Sequence, residues 1–124
     1  MQFSKAQSKA QQQINEFIIG EYDDALSYYM ECCDKYPDRI KWHQLYNCKG
    51  CFCDIDRWTF LKSYDTIVAV FDHYHFRLFD VLRYVYGYTA TSAQHIAKFR
   101  NWVRLTYCCS FDDIEEYRYY EVEK

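Results

Sequence analysis

Two periods of apolar spacing run along this chain. In SKAQSKAQQQINEFII, residues 4–19, Ile14, Phe17 and Ile18 are spaced i, i+3, i+4, the stripe of a helix burying one face. Ser4 is a suitable N-cap, and Gly20 is placed to end or bend that helix. A second helix is expected in EYDDALSYYMECCDKY, where Ala25, Tyr28, Tyr29 and Cys32 repeat at i, i+3, i+4, i+7 and Pro37 lies just past the end.

From residue 40 the period shortens to two. Ile40–Tyr46 alternates as a half-buried strand does, and TIVAVFD (66–72) is a short β-branched apolar run. FRLFDVLRYVYGYT fits a strand or a helix stripe capped by Gly87; its aromatic and β-branched content favours the strand. TSAQHIAKFRNWV then reads as a helix capped by Thr89 or Thr91, RLTYCC as a returning strand, and FDDIEEYRYY as a helix capped by Ser110. The expected fold class is α+β in a single domain spanning residues 1–124. It has two N-terminal helices, a small antiparallel sheet and one or two C-terminal helices.

Composition adds an aromatic excess. Aromatics make up 21% of the 124 residues, with fourteen tyrosines. Tyrosine buries a ring while its hydroxyl needs a partner, so a polar-fringed core and an aromatic contact surface are both expected. No apolar run reaches membrane-span length, and the first residues lack the apolar core of a signal peptide, so a cytoplasmic location is expected. Net charge is −3 but unevenly spread. Residues 1–38 hold three Lys/Arg against seven Asp/Glu, residues 39–104 hold ten against five, and residues 105–124 hold two against six. Acidic ends therefore flank a basic middle. They form either plain solvated faces or a surface aimed at a basic partner.

The densest chemistry is NCKGCFC, residues 47–53. Cys48 and Cys51 have the C-x2-C spacing with which two thiolates grip one tetrahedral ion, and Gly50 suits the turn between them. Seven cysteines cannot all pair internally, and a cytoplasmic location keeps thiols reduced. Buried free thiols and a redox dithiol remain as alternatives. Structural zinc is the leading expectation, as a staple for a small core. Cys48 and Cys51 come first as ligands, Cys109, Cys33 and Cys53 are candidates to complete the set, and His43 stands outside it.

Other chemistry is sparse. There is no phosphate-cradling glycine loop, no H-E-x-x-H and no G-x-S-x-G, so no enzymatic activity is expected. His73 and His75 in DHYHF suit a turn with two exposed imidazoles, and His95 suits a hydrogen-bonded place within its helix. Arg77, Arg83, Lys98, Arg100 and Arg104, interleaved with aromatics, offer a nucleic-acid reading. Overall acidity argues against it.

SYDTIVAVFD followed by YGYTATSAQHIAKF resembles a family of small proteins from bacteriophages and prophages of Firmicutes. The matching residues are Ser63, Tyr64, Thr66, Val68 and Ala69, then Tyr88, Thr89, Ala90, Thr91, Ser92, His95, Ile96, Lys98 and Phe99. The cysteine-rich segment 48–53 departs from that pattern. In size, charge and thiols the chain is also similar to small anti-CRISPR proteins directed at type II-A Cas9, some of which contain metal. That resemblance implies a stoichiometric inhibitor in the cytoplasm of the bacterial host. It would dock an acidic surface on the nucleic-acid-binding surface of Cas9 and block guide or target DNA. Asp23 and Asp24, or Asp112, Asp113, Glu115 and Glu116, would supply the acid.

Overall fold

A computed structural model describes residues 4–122. In chain order the elements are α1 (Lys5–Lys35), β1 (His43–Gln44), β2 (Gly50–Ile55), β3 (Trp58–Ser63), β4 (Thr66–Asp72), β5 (Arg77–Asp80), α2 (Leu82–Val85), α3 (Ala90–Thr106) and β6 (Glu115–Arg118). The strands form one six-stranded sheet in sequence order, antiparallel throughout except for the parallel pair β5–β6. The sheet is therefore mixed, where an antiparallel one was expected.

Strand alternation splits the core into two clusters, one on each face of the sheet. On one face, Ile18, Tyr22, Ala25 and Cys32 of α1 pack on Cys53, Ile55, Phe60, Val70 and Phe79. On the other, Ile96, Phe99 and Val103 of α3 pack on Leu61, Val68, Ala69, Phe71 and Leu78. The result is helix, sheet, helix in three layers.

The N-terminal helix is one element rather than two. Ser4 and Gln7 form a capping box, and the helix runs through Gly20 to Lys35. A mid-helix glycine costs about 1 kcal/mol. Burial of Ile18 and Tyr22 on either side of it offsets more than that.

The strand expected at 40–46 shrinks to His43–Gln44, the only positions pairing with β2. The thiol segment lies largely in β2 rather than in a polar turn, and β3, unforeseen, pairs with it along its whole length. Residues 66–72 form β4 as expected.

The ambiguous segment divides. Arg77–Asp80 is strand, then the Leu82 N–H donates to Asp80 Oδ1 at 3.2 Å and a short helix begins. The expected strand RLTYCC is the last turn of α3 and the bend after it, with Cys108 at φ 51°. Ser110 does cap a helical turn, but Phe111–Asp113 is a single 3-10 turn and the chain then extends as β6. The Glu115 N–H donates to Phe76 O at 2.9 Å, and Tyr117 stacks on Phe79 at 5.4 Å. Those contacts hold an acidic, locally helix-favouring segment in the sheet.

Candidate interaction surface

The thiols do not gather. Cys48 sits in the turn before β2, its Sγ 2.9 Å from Leu45 O, packed with the α3-side core. Cys51 shares a strand face with Cys53, which is fully buried on the α1 side. The C-x2-C pair thus opens toward opposite faces of the sheet. Cys33 lies beside Cys53, whereas Cys109 packs with the α3-side core and His43 faces Phe52 at 5.4 Å. Among the described residues no three His, Cys, Asp or Glu side chains come together to hold a metal, so the expected donors do not fit a tetrahedral ion. All seven cysteines are free. Burial pushes the Cys53 thiol pKa up; the Lys41 backbone opposes this, and the Asp54 and Cys33 charges add to the rise.

Gly50 has a different use from the one its spacing suggested. A Cβ there would stand 3.3 Å from His95 Cγ and 3.4 Å from Cys48 Sγ. The missing side chain makes room for the imidazole.

His95 belongs to one of two hydrogen-bond networks that pin α3 to the sheet. At the start of the helix, Thr89 caps Ser92 N at 3.1 Å. Ser63 Oγ, at the end of β3, lies 2.9 Å from Ser92 Oγ and 2.7 Å from His95 Nδ1. All three side chains are buried. Burial, then the Lys98 charge, lowers the His95 pKa. The segments SYDTIVAVFD and YGYTATSAQHIAKF meet in this network, and Val68, Ala69, Ile96 and Phe99 share the core beneath it.

At the far end of α3 the helix-ending Tyr107 places its hydroxyl 3.0 Å from His73 Nδ1. His73 Nε2 meets Thr59 Oγ1 and lies 3.2 Å from Asp54 Oδ1. Burial, with Asp54 adding, pushes the Tyr107 pKa up to about 12.

His75 is held differently. Buried Asp72 receives its Nδ1 at 2.8 Å and Arg57 Nη2 at 2.7 Å. The two imidazoles expected to be exposed in a turn are therefore distinct: His73 is largely enclosed and His75 is half-exposed beside a carboxylate.

The acidic residues form two separate groups. Asp23 and Asp24 are exposed on α1, whereas Asp112 and Asp113 sit on the 3-10 turn after α3. Glu115 and Glu116 already pair with Arg77 and Arg100. The basic middle is similarly engaged: Arg83 and Arg104 lie over aromatic rings. A surface pocket of about 230 Å³ lies along β6, and its four charged side chains pair among themselves as Arg100–Glu116 and Arg118–Asp80.

Exposed aromatics gather in α2 and just after it. Tyr84, Tyr86 and Tyr88 are 43%, 54% and 59% exposed, and Gly87 at φ 92° turns the chain between the last two. The Arg83 guanidinium lies 4.8 Å from both the Tyr88 and Tyr120 ring centres, and Tyr84 meets Tyr119 at 5.1 Å. Asn15 of α1 fixes the tail that brings these rings in, donating to Tyr120 O at 2.6 Å and accepting from Tyr120 N at 3.3 Å. Asp23 and Tyr84 both flank Tyr22, whose pKa burial and these two neighbours push up to about 12.

Sequence reasoning identified the aromatic excess but not its place, because Tyr119 and Tyr120 join Tyr84–Tyr88 through the long-range β5–β6 pairing and the Asn15 anchor. Among the described residues no helix is long and apolar enough to cross a membrane. Comparison of the chain with protein-family models, curated proteins and solved structures gave no match.

Proposed function

We propose that this protein acts without catalysis, by occupying the surface of a protein partner through Arg83, Tyr84, Tyr86, Tyr88, Tyr119 and Tyr120. The observation that carries this reading is the exposure of three tyrosines around a guanidinium held between two rings. Tyrosine and arginine are the residues that dominate binding energy at protein interfaces. Their rigid stacking lowers the ordering cost of association. Asp23, exposed on α1, and Asp112 on its separate turn favour a partner with a basic surface.

The resemblance in size, charge and thiols to anti-CRISPR proteins directed at type II-A Cas9 makes Cas9 the first partner to test, with inhibition of guide or target DNA loading as the effect. The test is a pull-down and a DNA-cleavage assay with type II-A Cas9. Suppressed cleavage at a stoichiometric ratio is expected. The triple variant Tyr84→Ala, Tyr86→Ala, Tyr88→Ala should keep its circular dichroism and lose that suppression. Full cleavage in excess wild-type protein would remove Cas9 as the partner. Equal potency of the triple variant would remove the aromatic surface.

A further inference from the structure

We propose that the protein pairs with a second copy of itself through the outward face of the first half of α1, the two helices lying antiparallel. This goes beyond the partner reading above and shares only Asp23 with it.

The helix overhangs its own core. The first buried residue of α1 is Asn15, so ten residues, Lys5–Ile14, precede any core contact. That is about 15 Å of helix. Its tertiary hydrogen bond is Gln11 Nε2 to Arg118 O at 3.0 Å. Short helical segments are marginal in water unless packing covers one face. Yet this arm begins with a complete capping box at Ser4 and Gln7, so its helical start is specified rather than frayed.

The exposed side carries a seam. Ala6, Ala10, Gln13 and Phe17 follow one another at intervals of four, three and four, and all are exposed. Ile14 and Phe17 each leave 38% of their surface open, the rest of the Phe17 ring packing on Phe79 and Tyr117. Intervals of three and four keep a row on the side of a helix that a partner helix covers.

Charge names the occupant. Lys5, Lys9, Glu16 and Asp23 are exposed, and none has an ion-pair partner among the described residues. At about 100° per residue they fall within about 40° of one another around the helix, on one flank of the seam. Read along that flank, two positive charges precede two negative ones. A two-fold axis between Gln12 and Gln13 places Lys9 opposite Glu16 of the partner subunit and brings Lys5 within about one helical turn of Asp23 of the partner subunit. A parallel pair would instead put the charged flanks of the two copies on opposite sides of the interface, where they do not meet. A pattern complementary to itself in one orientation fits an isologous dimer.

The experiment is sedimentation equilibrium of the full chain over a roughly hundredfold concentration range, at low and high salt. A shift from one to two chains with concentration is expected, weakened by salt. Lys9→Glu should weaken the dimer by about tenfold or more, as like charges then face each other. Lys9→Glu combined with Glu16→Lys in one chain should restore it. Mixing the Lys9→Glu chain with a Glu16→Lys chain should yield a mixed dimer. All are exposed positions, and circular dichroism should stay unchanged. A one-chain mass under every condition overturns the proposal, and so does a dimer whose strength is indifferent to Lys9→Glu.

Discussion

Ser63 Oγ lies 2.7 Å from His95 Nδ1, joining the end of β3 to the first turns of α3 across 32 positions of sequence. Both groups are buried, so neither has water to fall back on. Removing the hydroxyl strands the imidazole nitrogen and leaves Ser92 without that partner. Ser63→Ala should cost about 1–3 kcal/mol in urea denaturation. Ser92→Ala should cost less, because the Ser63–His95 bond survives it. Equal, negligible losses would mean the network does not hold α3.

His95 also sets a pH dependence. Burial and Lys98 hold its folded pKa below the 6.5 of the free side chain. The unfolded chain therefore binds the proton more readily, and stability falls as pH drops below 6.5 through the folded value. His95→Gln keeps a hydrogen-bonding group there without a titration. The variant should be less stable near neutrality but show a flatter stability curve just below pH 6.5. A wild-type curve already flat in that window contradicts this assignment. The depressed carboxylate is separate. Burial raises Asp72, but Arg57, His75 and the Tyr74 N–H outweigh it, so its contribution is lost only as pH falls below 3.8.

These residues show what could be read from the chain and what could not. TIVAVFD was legible because β-branched residues in a bounded run state their preference locally, and the start of α3 because Thr89 is a good cap. β6 was not, since Glu115–Arg118 is held by Phe76, Phe79 and Asp80, far off in sequence. Propensity at Gly20 lost to burial on both sides of it. The strand at the thiol segment was not legible because Cys48 and Cys51 sit three apart, while the period of two governs only Cys51 and Cys53 within β2 and Cys48 lies in the turn before it. Gly50 answers to His95, forty-five positions away. The aromatic surface was visible as composition only; its assembly needs the tail to cross α1.

Two glycines separate these effects. At Gly50 an added methyl meets an imidazole that Ser63 and Ser92 already fix, so it cannot yield. Gly50→Ala should destabilise by about 1–3 kcal/mol. At Gly20 nothing lies within 4 Å of the added carbon. Gly20→Ala should stabilise by about 1 kcal/mol through helix propensity alone. Thermal or urea melts of the two variants should therefore move in opposite directions, and a shared direction would contradict the placement of one of them.

Asn15 is 7% exposed and pairs with both backbone groups of Tyr120. Replacing it by alanine leaves the carbonyl and the N–H of Tyr120 to find water beside a packed helix. The Asn15→Ala variant should lose about 1–3 kcal/mol of tail anchoring. Amide exchange at Tyr119 and Tyr120 should quicken, while the β3 and β4 amides stay protected because their ladders do not touch Asn15. Arg83 would then keep Tyr88 but lose the fixed Tyr120 ring. Partner affinity should fall with the global fold intact. Unchanged tail protection would show that β6 pairing alone holds these rings in place, and the aromatic surface would not depend on α1.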